Sequence, residues 1–275
     1  MTTVTAEAPP RPARRRRPPL ALRGYFLLLL VLLYLPIAIL FVFSFNDSSV
    51  VTFPLKGFTL EWYQKVIANQ PLLRSIWASI QVAFGSSVIA TVLGAMLAIL
   101  LTRFEFRSKP LLAGLTALPL IVPYVVLGVA LLILFRAVNV PLSLLTVGAA
   151  HAIVALPFTT LIIVARLVGF GNSLEEAAMD LGANEFTTFR KVTLPLIAPA
   201  ILAGLLLSFA LSIDDFVITN FVAGSSVTFP LFVWGAARVG APPQVNVIGT
   251  TIFAVAVLAM LANVLIQMRR SKGAS

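Results

Sequence analysis

Cysteine is absent from the chain, which rules out disulfide frameworks, thiolate metal sites and cysteine nucleophiles. Charge is scarce as well: Asp, Glu, Lys and Arg together make up 11% of the 275 residues. Histidine occurs once, as His151, and a lone histidine without cysteine cannot make a metal site, so it reads as a hydrogen-bonded packing residue. Signatures of catalysis and nucleotide binding are also missing: there is no H-E-x-x-H, no Walker A lysine loop, no G-x-S-x-G elbow and no dinucleotide fingerprint. A hydrolase working inside a membrane would need a base beside Ser208 or Ser212, and the neighbouring sequence supplies aspartate without histidine or lysine. No enzymatic activity and no cofactor are expected.

What is abundant is apolar surface. With 59% hydrophobic residues and a mean hydropathy of +1.01, the chain is too apolar for a water-soluble globule. Six apolar runs are long enough, at about 20 residues each, to cross the hydrocarbon of a bilayer. They fall at 24–45, 76–101, 111–135, 142–165, 196–222 and 247–267. Backbone in lipid must satisfy its own hydrogen bonds, so such runs are predicted to be helices, and the fold class is all-α membrane protein with six transmembrane helices.

The net charge of +10 would suggest nucleic acid if the basic residues shared one solvated domain, but their distribution follows topology instead. Fifteen Lys and Arg, among them Arg103, Arg107, Lys109, Arg166, Arg190 and Lys191, fall on the side that also holds both termini, against five on the other. That bias predicts cytoplasmic termini. The first run lacks a small-residue cleavage pattern and reads as an uncleaved anchor. Residues 1–19, rich in Pro and Arg, are predicted to be a disordered cytoplasmic tail touching anionic lipid, and residues 20–275 the membrane domain. Between the first two runs, Leu60, Tyr63, Val66 and Ile67 recur at helical spacing and predict an interfacial helix. The sequon Asn46-Asp47-Ser48 is too short a pattern to carry weight.

Residues 170–195 abandon lipid composition, with Glu175, Glu176, Asp180, Glu185, Arg190 and Lys191 close together. Ser173 and Glu176 have the spacing of a capping box, which predicts a helix start. Leu174, Ala177, Ala178 and Leu181 then share one face, and Gly182 is placed to end the helix at positive φ. A second short helix is predicted over 185–192, presenting Phe186 and Phe189. On physical grounds alone this is either a docking peg or an ordinary interhelical loop.

Glu176-Ala177-Ala178, then Gly182, then Val192-Thr193-Leu194-Pro195 resembles the EAA loop of type I ABC importer permeases, departing only in Val192 where isoleucine is usual. The six runs and their orientation look like the same layout, the MetI-like fold. The resemblance implies a bacterial inner-membrane subunit paired with a second permease, which is either a paralogue or a copy of this chain. It also implies an ABC ATPase dimer that binds the ATP, and an external solute-binding protein. Coupling to the ATPase would then run through Glu175, Glu176, Ala177, Ala178, Gly182, Phe186, Leu194 and Pro195.

Asp214 and Asp215 lie within the fifth run, where a carboxylate costs about 2.5–3.5 kcal/mol on insertion scales and needs an offsetting interaction. At about 100° per residue Ser208, Ser212, Asp215 and Thr219 fall on one stripe, with Asp214 beside it among Leu211 and Ile218. That gives Asp215 the stronger claim to a substrate path. The alternative is that both acids are neutralised by a neighbouring helix and only fix packing. Acidic side chains favour a cationic solute, and residues 211–218 are similar to the corresponding stretch of spermidine/putrescine importer permeases. Other readings are an importer for iron, thiamine or an oxyanion, the last repelled by the acids, or an ion-coupled secondary transporter. Pro119, Pro123 and Pro157 are predicted to kink the third and fourth runs. Residues 224–243 either dip back toward the bundle or meet the binding protein.

Overall fold

The computed structural model describes residues 20–48, 53–238, 240 and 243–272; the predicted tail, 1–19, lies outside them. Among the described residues the regular elements are helical, with one isolated antiparallel bridge between Asn46 and Phe58. The chain divides into two compact units, one made of the residues up to Trp62 and from Pro243 onward, the other of Tyr63–Pro242.

In the first unit α1 (Leu20–Ser44) packs on α12 (Pro243–Lys272). Large apolar side chains of α1 such as Phe26, Leu32, Leu33 and Phe41 stay exposed. A helix apolar on all sides and scarcely covered by its own chain is suited to lipid rather than water. Beyond α1, Thr59 donates its amide to the Phe45 carbonyl at 2.8 Å, and Trp62 donates its indole N–H to the Asn46 carbonyl at 2.9 Å. Asn46 is buried and its Oδ1 accepts the Lys56 amide at 2.9 Å, so the asparagine of the sequon has a structural use. The predicted interfacial helix is α2 (Glu61–Ala68).

The second unit is organised by three mutually packed helices: α3 (Gln70–Arg103), α6 (Leu144–Phe170) and α9 (Leu194–Asp214). The buried face of α3 is written in small residues, including Ser79, Ala83, Ser86, Ala90, Gly94 and Ala98. Without a hydrophobic drive between helices in lipid, such residues permit the close approach that gives dispersion contact. Gly94 is the tightest point, since a Cβ there would collide with Thr159 of α6, whose hydroxyl donates to the Ala90 carbonyl at 2.9 Å.

Two predicted spans are not continuous helices. The run 111–135 is split into α4 (Lys109–Ile121) and α5 (Tyr124–Ala137), bent by 112° at Val122-Pro123. A residue before proline is pushed toward extended backbone, and Val122 adopts φ −76°, ψ 128°, so the expected kink is a break. The run 196–222 stops being helical after Asp214; Asp215 is extended, and α10 (Val217–Val222) starts anew. Among the described residues four helices are long and apolar enough to cross a membrane, and five if α4 and α5 count as one bent span. The sixth predicted run, 247–267, lies within α12. Residues 224–243 contain α11 (Phe229–Arg238), which folds back onto α3 through the Phe229 amide on Ser79 Oγ at 2.9 Å.

Candidate functional site

The polar loop folds as α7 (Ser173–Asp180), α8 (Glu185–Thr188) and a π turn (Phe189–Thr193) that runs directly into α9. The predicted capping box is absent. Asn172 is the N-cap and its side chain caps nothing, because its Oδ1 accepts from Arg103 at 2.7 Å instead. Glu175 and Glu176 still sit in the first turn of α7, where the helix dipole favours acids. At the other end the Gly182 amide donates to Met179 and the Ala183 amide to Ala178, the paired bonds of a Schellman ending. Gly182 holds φ +89° there, as its position in the sequence predicts.

The second predicted loop helix does not end at Val192 but runs on into α9. Asn184 caps it through Oδ1 on the Thr187 amide at 2.8 Å, and the backbone widens to a π turn in which Leu194 N–H donates to the Phe189 carbonyl. Pro195 lies in the first turn of α9, and the wider turn accommodates a ring that would clash with the carbonyl four residues earlier. Glu176, Ala177, Gly182, Leu194 and Pro195 are exposed, Ala178 is half-buried, and Phe186 is 71% exposed. Glu175 differs from the rest. It is mostly covered and bound to its own chain, by Arg103 Nε at 2.9 Å and by Thr193 Oγ1 at 2.8 Å.

At 1.5 Å per residue α9 is about 30 Å long, so Asp214 and Asp215 sit at its end farthest from the polar loop. Three residues of the predicted stripe converge there despite the helix break: Ser212, Asp215 and Thr219 surround His151 of α6. The His151 Nδ1 lies 2.7 Å from Ser212 Oγ, and Nε2 lies 3.1 Å from Asp215 Oδ2 and 2.9 Å from Thr219 Oγ1. Ser86 of α3 donates to Ser212 Oγ at 3.0 Å. A ring protonated at Nε2 fits these contacts, with Nδ1 accepting from Ser212 and Nε2 donating toward Asp215. Asp215 Oδ2 also accepts the Thr219 amide at 2.9 Å, which satisfies an otherwise orphaned donor in the first turn of α10. Ser208 is buried but stays outside this network, and Asp214 is exposed.

The structure therefore corrects one premise: Ser212 does have a histidine beside it, contributed by α6 and 61 residues away in sequence. The serine, histidine and aspartate follow one another as in a nucleophilic triad, but the ring is reversed, with Nδ1 on the serine and Nε2 on the aspartate. The space bounded by them holds about 10 Å³, room for no more than a single water and far too little for an acyl substrate. The carboxylate is committed to a helix start. The arrangement is a satisfied polar link between α3, α6, α9 and α10, and it accounts for how Asp215 is tolerated.

His151 is the hydrogen-bonded packing residue that the sequence suggests, but its partners, like the roles of Arg103 and Ser86, were not legible there, because each contact joins residues more than 60 positions apart. The break at Asp214-Asp215 had a local signal, since paired aspartates mark helix starts as readily as they mark charge. Nearby, the Phe216 and Trp234 rings lie 4.9 Å apart and Arg238 sits 5.2 Å over Trp234.

Residues 90–269 match the family model described as the binding-protein-dependent transport system inner membrane component. The chain belongs to this family. It is 38% identical to the spermidine/putrescine transport system permease protein PotC of Escherichia coli K12 over 251 residues, 91% of this chain and 95% of that one. It is 36% identical to the putrescine transport system permease protein PotI of the same strain over 239 residues, covering 84% and 85%. In fold it resembles a chain of a bacterial ABC transporter involved in alginate import, with a TM-score of 0.68 at 16% identity, covering 90% of this chain and 95% of that one. This permease is therefore an all-α subunit of a multi-pass membrane transport system, with the type I ABC importer permease fold. The acid-bearing end of α9 and the exposed loop at its other end are features of that permease, and neither is a catalytic centre.

Proposed function

We propose that this permease is one half of the membrane path of an ATP-driven polyamine importer, in which ATP is bound and hydrolysed by a separate ATPase dimer and cargo arrives on an external binding protein. The observation that carries the reading is the exposed α7–α8 segment, with Glu176, Ala177, Leu181 and Phe186 uncovered on a wet loop that is continuous with α9. A rigid peg of this kind passes displacement directly into a membrane helix. The second half of the path is another permease subunit, either a paralogue or a copy of this chain, and the exposed apolar sides of α1 face lipid or that neighbour. Both termini and the loop lie on the cytoplasmic side, which agrees with the distribution of Lys and Arg.

Polyamine cargo is supported by the similarity to the spermidine/putrescine permease PotC and the putrescine permease PotI and by the chemistry of Asp214. A carboxylate exposed at the end of a membrane helix attracts a polyammonium chain. Asp215, whose Oδ2 is already held by His151 and Thr219, shapes the helix break instead. Uptake of labelled spermidine and putrescine into vesicles holding the full transporter tests this. ATP-dependent uptake that falls strongly in Asp214→Asn, with the complex intact, is the expected result. In Asp215→Asn the folded yield should fall together with uptake. Unchanged transport in both variants removes the carboxylates from the mechanism, and uptake driven by an ion gradient without ATP overturns the importer reading.

A further inference from the structure

The end of α3 is tied to the coupling loop by one side chain. Arg103 places Nε 2.9 Å from Glu175 Oε2 and Nη2 3.3 Å from Oε1, while Nη1 donates to Asn172 Oδ1 at 2.7 Å and Nη2 to the Gly171 carbonyl at 2.9 Å. The same Glu175 carboxylate accepts from Thr193 Oγ1, in the π turn that leads into α9. One guanidinium and one carboxylate thus join α3, the end of α6, α7 and the entry to α9. The two side chains are only 13% and 16% exposed. That sets the pair apart from solvent-exposed ion pairs, which contribute little, and a planar guanidinium whose N–H groups are shared among Glu175, Asn172 and the Gly171 carbonyl adds directional rigidity that a point charge lacks.

Neighbouring Glu176 and Phe186 are exposed and left for a partner. Glu175 is turned the other way, into the permease. α3 then runs 17 positions, about 25 Å of helix, from Arg103 back to Ser86, which bonds Ser212 in the His151–Asp215 network. A continuous chain of bonded groups therefore runs from the loop to the acid-bearing end of α9.

We propose that Arg103 is a positioning residue for coupling: its clasp on Glu175 transfers displacement of α7 into α3, so that the helix bundle moves with the loop. This rests on the reading of 170–195 as the ATPase-docking element. Arg103 acts through Glu175 and touches neither ATPase nor cargo.

The test is a double-mutant cycle on the whole transporter, reconstituted in liposomes with its ATPase and binding protein, reading solute taken up per ATP hydrolysed. Arg103→Ala and Glu175→Ala are each expected to lower that ratio by about fivefold or more while the ATPase still co-purifies. The double variant should fall no further than either single one. Arg103→Lys, which keeps the charge and loses the fork, should be lowered as well, and it carries the test if Arg103→Ala does not accumulate. A normal ratio in Arg103→Lys, or losses that multiply in the double variant, overturns the proposal. Phe186→Asp separates the two levels. If it releases the ATPase while the Arg103 variants couple normally, only the clasp is wrong; if it keeps ATPase and transport, the docking reading itself fails.

Discussion

His151 on α6 holds Asp215 across the helix break between α9 and α10, with Nε2 3.1 Å from Oδ2 while Nδ1 rests on Ser212 Oγ. The ring thereby spans the discontinuity that the two aspartates create.

Removing that ring should destabilise the fold more than removing the hydroxyl behind it. His151→Ala leaves a largely buried carboxylate short of a donor, at a cost of about 1–3 kcal/mol. Ser212→Ala leaves Asp215 its bonds to His151 and Thr219 and should cost less. Thermal unfolding of the purified permease in detergent measures the difference, and melting temperatures of both variants equal to that of the unsubstituted permease would show that the network contributes nothing.

Two glycines of α3 should respond oppositely to alanine. A Cβ at Gly94 meets Thr159 and the Thr160 amide, whereas a Cβ at Gly85 meets nothing within 4 Å. Gly94→Ala is expected to cost about 1–3 kcal/mol through overpacking. Gly85→Ala should be neutral or slightly stabilising through helix propensity. The same melting experiment reads both.

At Gly182 the obstacle to substitution is backbone conformation, not space, because φ is +89° and nothing lies within 4 Å of a Cβ. Gly182→Asn should therefore keep coupling close to normal, since asparagine tolerates the left-handed region, while Gly182→Val should distort the loop. Both variants should insert normally. Uptake per ATP separates them, and a valine variant that couples as well as the asparagine one would sink the rigid-peg account.

Phe186 offers a surface aromatic that supports no interior of its own. Phe186→Ala should leave the melting temperature of the isolated permease unchanged and weaken its affinity for the ATPase by about tenfold or more, the behaviour of a buried anchor at an interface. Titration of the ATPase against the detergent-purified permease checks this directly.

Local pattern placed the glycine turn and the helix starts of the loop, missed that Asn172 is the N-cap and that 189–193 is a π turn, and was an insufficient guide to the acids. Gly182 announced its positive φ, and the short polar run announced its helices, because caps and turns depend on residues within a few positions of one another. The stripe argument brought Ser212, Asp215 and Thr219 to one place yet assumed an unbroken helix and an open path. In the structure the helix is broken at Asp215, and Ser212 and Thr219 are buried against His151. Wheel geometry reports which residues share a side, and it is silent on what covers that side.

Apolar run length, which is additive along the chain, was enough to determine an all-helical membrane protein with a polar loop between its fourth and fifth runs. Tertiary structure alone decided that Glu175 faces inward to Arg103 while Glu176 faces out, and that Asp215 is occupied while Asp214 is exposed. Adjacent residues were assigned opposite surroundings because their partners come from helices roughly 60 to 70 positions away, and only packing brings those helices together.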